Sequence, residues 1–189
     1  MRRVLLGAAI VVVLAVAGVY IAHRVSDGPM GPISGGPLRA GPLVTDANVD
    51  WATALQQGNP GRGIELQLVS TGESRTVGAF VHDGQLYVPC DLGFLWRRTP
   101  NAGMRFMGGL IYSVKHWHQD AARDGRVVLR VAGKRYERQA VRVTDPELLT
   151  ALRADTEQGV ERFFGARLMP GPADPEAIWY FRMDPRASS

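Results

Sequence analysis

The sequence has 189 residues, and 22 lysines and arginines against 18 aspartates and glutamates leave a net charge of +4. Half of that excess lies in residues 1–46, where four arginines stand against two aspartates, so the rest of the chain is close to neutral. Such a chain lacks the basic face that nucleic-acid binding requires. The single cysteine, Cys90, excludes an internal disulfide and any zinc or iron–sulfur site built on several cysteines.

The amino-terminal segment is strongly apolar. Residues 4–22 contain no charge and no strong helix breaker, and a helix of this length spans roughly 28 Å, close to the hydrocarbon thickness of a bilayer. A cleaved signal peptide is the alternative, because Ala15-Val16-Ala17 offers an A-x-A cleavage site. Since the apolar run continues past that site, we expect residues 1–24 to form an uncleaved transmembrane anchor.

The residues that flank this segment predict its orientation and its connection to the rest of the chain. Arg2 and Arg3 precede the apolar run, and the positive-inside rule therefore predicts a single-pass cell-membrane protein with a cytoplasmic amino terminus and an extracytoplasmic domain. Residues 25–45 are rich in proline and glycine and have no period of 2 or 3.6. We expect them to form a semi-extended linker to a folded domain at 46–186.

The folded domain carries mainly strand signals. In residues 64–68 apolar and polar side chains alternate, which is the period of a half-buried strand. His82-Asp83-Gly84 and Ala132-Gly133-Lys134 lie between strand-like runs and predict two hairpins. Pro89 cannot donate to a sheet ladder, so its strand ends or lies at an edge there. The predicted strands cover residues 64–68, 75–81, 85–90, 126–131, 135–143 and 177–183.

The helices are fewer and are predicted from caps and apolar faces. About six strands with few helices favour a small antiparallel barrel with helices packed at its ends. A parallel α/β sheet would instead require strands and helices to alternate regularly. The helix signals are Asp46 as the cap of residues 47–57 with Gly58 as their stop, Trp117 and Ala121 on the apolar face of a helix that Gly125 ends, and Thr144 as an N-cap with Glu147 completing a capping box.

The segment 91–110 is the least regular part of the domain and carries large apolar side chains, among them Phe94, Trp96 and Phe106. A loop of this length and content is usually functional or packs on itself. The Arg97-Arg98 pair beside Trp96 could hold a phosphate under a stacked aromatic ring. The alternative is that Trp96 fills the core and both arginines are solvated.

Metal and thiol chemistry have little support in the sequence. His116 and His118 stand two residues apart on a helix, so their side chains diverge by about 200° and do not face one ion. No nearby feature supplies a base or a depressed pKa for the Cys90 thiol. The sequence also lacks the G-x-S-x-G, H-E-x-x-H, P-loop and G-x-G-x-x-G patterns in this domain. We therefore expect no metal site and assign no catalytic residue.

The order of the elements and several short sequence motifs resemble those of a known superfamily. These motifs are T-G-x-x-R with Arg75, the D-G hairpin at 83–84, Y-V at 87–88, D-G-R-V-x-L at 124–129 and V-T-D-P-E at 143–147. Together they resemble the FMN-binding split β-barrel superfamily, which includes pyridoxamine-phosphate-oxidase-like proteins and deazaflavin-dependent nitroreductases. The resemblance covers roughly residues 62–183.

The resemblance implies a mainly β (α+β) fold, a small antiparallel split β-barrel with packed helices, and FMN or a deazaflavin as cofactor. Arg75 and Lys115 match positions where the family often places basic residues near the cofactor phosphate. Trp96 or Phe94 would cover the flavin ring, and Cys90, at a strand end, would lie beside it. Arg97, from the aromatic loop described above, would add a phosphate contact. The chain departs from the family in its longer aromatic loop and in the residues Pro89-Cys90-Asp91, which replace a serine- or threonine-rich stretch.

Two hypotheses follow for the function. The first is a membrane-anchored split-barrel protein that binds a flavin or deazaflavin and acts as an oxidoreductase of a small substrate. The alternative is a noncatalytic cell-envelope binding module on the same barrel that has lost the cofactor, whose sign would be a ring site filled by the 91–110 loop, in particular by Trp96. Because barrels of this class often pair across their sheets, the resemblance also implies a homodimer.

Overall fold

A computed structural model of the chain describes residues 2–31, 33–58, 63–93, 95, 98, 101–103, 106, 116–165, 167–169 and 177–186. The helices are α1 (Arg2–Val25), α2 (Trp51–Gln57), α3 (Trp117–Arg123) and α4 (Pro146–Phe164). The strands are β1 (Leu43–Val44), β2 (Ile64–Leu68), β3 (Ser74–Val77), β4 (Phe80–His82), β5 (Gln85–Asp91), β6 (Arg126–Val131), β7 (Lys134–Arg142) and β8 (Ile178–Pro185).

The strands form one eight-stranded, mainly antiparallel sheet in the order β3-β2-β6-β7-β8-β5-β4, with β1 added to β7 in parallel. A mainly antiparallel α+β fold is thereby confirmed. It differs from the predicted set of strands by the added β1 and by the division of the strand predicted at 75–81 into β3 and β4. Pro89 pairs only with Tyr180 of β8, because β4 reaches no further along β5 than Tyr87. The predicted edge position of this proline is correct.

The sheet curls into a barrel-like shape. Strands β3 and β4 stand at the two ends of the strand order, yet only Gly78 and Ala79 separate them in the chain. Seven flat strands at about 4.8 Å spacing would hold the ends roughly 29 Å apart, whereas three residue steps reach at most about 11 Å. The sheet must therefore curl until its ends approach each other. The same two residues divide the single strand predicted at 75–81 into β3 and β4.

The alternation of side chains along the strands separates two apolar clusters. In β5, Leu86 and Val88 join the cluster inside the barrel, whereas Tyr87 points to the opposite face. In β8, Phe181 lies in the inner cluster and Tyr180 lies in the outer one, together with side chains of α4. The period-2 pattern of a sheet that is buried on both faces explains this division.

Two hairpin turns are as predicted. Asp83 and Gly84 have φ values of 47° and 75°, and Ala132 and Gly133 have φ values of 48° and 74°. Two successive residues with positive φ are the signature of a type I′ turn, whose twist matches that of the flanking antiparallel strands. These turns join β4 to β5 and β6 to β7.

Both predicted helix caps were wrong in position. Helix α2 begins later than expected, with Asp50 as its N-cap accepting the Thr53 N–H, while Asp46 accepts the Asn48 N–H in a turn before the helix. The cap of α4 is Asp145 and not Thr144. A residue before proline is disfavoured in the helical region, so the residue preceding Pro146 must stay extended and becomes the cap.

The amino-terminal helix is present as α1, and the described apolar side chains along it are exposed, including Ile10, Val11, Val13 and Leu14. Within the described ranges, no helix meets both the length and the hydropathy needed to cross a membrane. The structure therefore does not support the predicted transmembrane span. The predicted division of the chain at 25 and 46 stays a prediction, although Leu43 and Val44 already belong to the sheet as β1.

Tyr180 predicts a loss of stability in alkali. Burial raises the pKa of its phenol to about 12, and the hydroxyl donates to Thr156 Oγ1, whereas an unfolded tyrosine ionises near pH 10. The folded state thus holds the Tyr180 proton more tightly than the unfolded state does. The protonated phenol therefore contributes about 2–3 kcal/mol to the free energy of unfolding below pH 10, and this contribution is lost as pH rises from 10 to 12.

We expect urea denaturation to show this loss between pH 10 and 12, with a smaller loss in Tyr180→Phe. A Tyr180→Phe variant whose stability falls as steeply as that of the wild type would contradict the assignment.

Candidate functional site

The structure describes two of the five residues predicted to bind a cofactor, Arg75 and Cys90. The other three, Lys115, Trp96 and Arg97, lie outside the described residues. Arg75 lies on β3 and Cys90 on β5, and the charge of Cys90 is among the influences on the pKa of Arg75. That the two residues belong to one cofactor site stays a prediction.

Arg75 is a mostly buried cation whose guanidinium is incompletely hydrogen-bonded. It lies on β3, where it shares a face with Val77, a member of the inner cluster. Only 22% of its side chain is exposed, and one guanidinium nitrogen lies 3.5 Å from a Glu73 carboxylate oxygen. Its Nε is buried and makes no hydrogen bond to any residue that the structure describes. A buried guanidinium N–H without an acceptor is costly in a folded protein.

The electrostatic surroundings of Arg75 also leave its positive charge incompletely stabilised. Burial lowers the pKa of its guanidinium, and the charges of Glu73, then Cys90 and Asp120, oppose this effect. The lowered pKa means that the charged form is less well stabilised here than in water. An anion at the exposed side of this group would supply the missing stabilisation.

Helix α3 covers Arg75 from one side. The guanidinium carbon lies 6.0 Å from the centroid of the Trp117 ring, at the outer limit of a cation–π contact. Trp117 and Ala121 are buried, which confirms the apolar face predicted for this helix. We use the name barrel mouth for Arg75, Cys90, Trp117 and Asp120.

Cys90 contributes to this site as a buried neighbour. It is fully inaccessible to solvent and belongs to the inner apolar cluster. On β5 it stands opposite Trp179 of β8. A completely buried thiol in an apolar cluster is poorly placed for nucleophilic attack on a ligand from solvent. Its position fits a packing role beside the site.

A row of aromatic rings extends from the barrel mouth along β8. The Trp117 and Phe181 centroids lie 5.6 Å apart, and those of Phe181 and Trp179 lie 6.4 Å apart. The His118 ring packs edge-on against Trp179, with the two ring centroids 4.9 Å apart. The Arg142 guanidinium carbon lies 3.6 Å from the Trp179 ring centroid. Trp117 and Phe181 are buried in the inner cluster, whereas Trp179 is half-buried.

The end of β5 is occupied by a local structural motif. The Asp91 carboxylate accepts the N–H groups of Gly93, at 3.0 Å, and Leu95, at 3.3 Å. Asp91 is 8% exposed. This side chain therefore organises the start of the following loop, and these two bonds use one of its oxygens.

Sequence reasoning missed Trp179, His118 and Arg142 as neighbours of the site. One signal was available for the first, because Trp179 and Phe181 stand two apart on a predicted strand and so share a face. His118 was considered only as a metal ligand. Across the part of the chain that the structure describes, no group of three or more histidine, cysteine or acidic side chains could hold a metal ion.

Comparisons with known proteins leave the family of this chain open. No family model matches it, and no curated protein matches it. A crystal structure of a Listeria innocua protein, provisionally described as a pyridoxamine 5'-phosphate oxidase, is similar to 72% of this chain and 91% of that one. The two are 12% identical with a TM-score of 0.43. A likeness at this level assigns neither a family nor a ligand to the chain.

Proposed function

We propose that the barrel mouth binds the phosphate of a flavin-type cofactor, FMN or a deazaflavin. The observation that carries the proposal is the buried Nε of Arg75, which has no hydrogen-bond acceptor among the described residues while part of the side chain reaches solvent. Phosphate oxygens are strong acceptors that arginine binds with good geometry. A flavin, when bound, supplies the hydride and electron chemistry that the protein groups do not.

The surroundings of Arg75 fit such a ligand. The Trp117 ring is buried beside the guanidinium, and in the aromatic row along β8 Phe181 is also buried while Trp179 is half-buried, so Trp179 is the ring of this row that a planar ligand could contact. Glu73 neutralises Arg75 only in part, since it contacts a different nitrogen at 3.5 Å. Lys115 enters the proposal from the family resemblance as a second phosphate contact. Trp96 and Arg97 enter it from the sequence of the aromatic loop, as a ring cover and a further cation.

The proposal is tested by cofactor binding to the full-length chain. FMN or a deazaflavin is added, and its visible spectrum and fluorescence are followed to saturation. We expect binding of at least one of them, and we expect Arg75→Gln to weaken it about 10- to 100-fold, because a charge-assisted hydrogen bond is lost.

Arg126→Gln is the matched control, since Arg126 lies on β6 and pairs with Asp124. It should bind as the wild type does. Failure of the wild-type chain to bind either cofactor would contradict the proposal.

A second candidate is the noncatalytic envelope module. It is favoured by the end of β5, where Cys90 is fully buried and the Asp91 carboxylate caps backbone N–H groups. Neither side chain is presented to a ligand as an acid, a base or a nucleophile. A folded chain that binds neither FMN nor a deazaflavin would support this candidate, which has lost the cofactor, over an oxidoreductase.

Location and assembly stay part of the proposal. Residues 4–22 are uncharged, and the described apolar side chains of α1 are exposed, which favours attachment at the cell membrane with an extracytoplasmic barrel. A carboxy-terminal reporter that is active only in the cytoplasm should be inactive, and activity would contradict this orientation. Light scattering of the full-length chain in detergent tests the homodimer implied by the family resemblance.

A further inference from the structure

We infer that Ser74 is a positioning residue for Arg75 and that an amino-terminal segment holds Ser74 in place. This segment, residues 33–44, is called the clasp below. The inference rests on the proposed function, since it concerns the same arginine. It assigns to the proline- and glycine-rich stretch a part in building the ligand site.

Ser74 is tied to the clasp by three hydrogen bonds. The Gly35 N–H donates to the Ser74 carbonyl at 2.8 Å, and the Ser74 N–H donates to the Gly35 carbonyl at 3.0 Å. The Ser74 hydroxyl donates to the Gly36 carbonyl at 2.6 Å, and the residue is completely inaccessible to solvent. Every polar group of Ser74 is therefore engaged next to Arg75.

These bonds matter because β3 is an end strand of the sheet. It pairs with β2 on one side, where Gln67 stands opposite Ser74. The clasp occupies the other side at this register, and its Leu38 N–H donates to Gln67 Oε1 at 2.8 Å. Local pairing on both sides holds the backbone from which the Arg75 side chain starts. A binding group needs such support to stay within about 0.5 Å of its productive position.

The clasp is itself well anchored. Leu38 is only 3% exposed. The Asp27 carboxylate accepts the N–H groups of Arg39, at 2.7 Å, and Ala40, at 3.1 Å, and it pairs with Arg130 of β6 at 3.0 Å. A side chain at residue 36 would not fit, because a Cβ atom there would lie 2.3 Å from the Ser26 carbonyl oxygen.

Ser74→Ala in the full-length chain tests the inference. FMN and riboflavin, which lacks the phosphate, are both titrated. We expect Ser74→Ala to weaken FMN binding about fivefold, the effect of one net hydrogen bond, and to leave riboflavin binding unchanged. Thr76→Ala is the matched control, since it removes an exposed hydroxyl from the same strand, and it should change neither constant.

A second readout needs no ligand. The Arg75 Nε–H resonance, assigned by its absence in Arg75→Lys, should shift in Ser74→Ala and stay in place in Thr76→Ala. Gly36→Ala, which displaces the clasp without altering β3, should shift the same resonance and serves if Ser74→Ala fails to fold.

The outcomes separate the two claims. Absence of FMN and deazaflavin binding in the wild-type chain contradicts the proposed function, while the resonance still tests the role of Ser74. An unmoved Arg75 resonance in the folded Ser74→Ala or Gly36→Ala variant overturns the inference. Equal weakening of FMN and riboflavin binding in Ser74→Ala also overturns it, because a general structural defect would have that effect.

Discussion

Replacement of Phe181 by alanine is expected to lower the free energy of unfolding by about 3–5 kcal/mol. Phe181 is completely buried on β8, and its ring packs against both Trp117 and Trp179. Its strand is bound on both sides, since Phe181 stands opposite Val88 of β5 and Arg142 of β7. Neighbours fixed by two ladders cannot collapse into the space left by the ring, so the cavity persists and adds to the lost transfer free energy.

Urea denaturation of the full-length chain measures this effect, and Val141→Ala is the control. Val141 lies on the adjacent strand and is 38% exposed, so its truncation should cost less than about 1 kcal/mol. A loss below 1 kcal/mol for Phe181→Ala would show that the aromatic row is loosely packed and would contradict the described core.

Removal of the clasp is expected to have an effect of similar size. A chain of residues 45–189 lacks the clasp and β1, whereas a chain of residues 26–189 keeps both. We expect the shorter chain to be less stable by about 4 kcal/mol, from the exposure of the Leu38 contact surface and the loss of the acceptor for the buried Ser74 hydroxyl. Its thermal midpoint should be lower by about 10 °C.

The comparison of these two chains also tests the predicted domain boundary at 46. Equal midpoints within about 2 °C would mean that residues 26–44 only lie on the barrel and add nothing to its stability. We expect the midpoints to differ, because the clasp is bonded to the barrel at several places. At Arg135, for example, the Nε–H donates to the Gly41 carbonyl and the backbone N–H donates to the Pro42 carbonyl. A chain prepared for cofactor binding should therefore include the clasp.

Local sequence patterns predicted the elements that depend on local physics. The strand at 64–68 has the bounds that alternation predicted, and both hairpins form at the D-G and A-G turns. Pro89 lies at an edge because proline cannot donate to a second ladder. The α4 cap was misplaced by one residue, since the restriction that Pro146 imposes on Asp145 was not considered.

Contacts between distant parts of the chain could not be predicted in this way. Asp27 and Arg130 are 103 residues apart, and their pairing depends on a strand order that no local pattern encodes. Proline and glycine content predicted a semi-extended linker, and the same composition permits the close backbone approaches by which Gly36 meets Ser26 and Ser74. The joint role of Arg75 and Cys90 in one site stays a prediction, and the packing of Trp179 against His118 and opposite Cys90 depends on tertiary contacts that no local pattern encodes.

The phosphate-dependent part of flavin affinity is the most direct test of the central claim. FMN and riboflavin differ only in the phosphate, so the ratio of their dissociation constants for the full-length chain isolates the contact assigned to Arg75. The account predicts that FMN binds at least about tenfold more tightly than riboflavin and that Arg75→Gln brings the two constants together. Equal affinities in the wild-type chain, or a ratio that survives in Arg75→Gln, would contradict it.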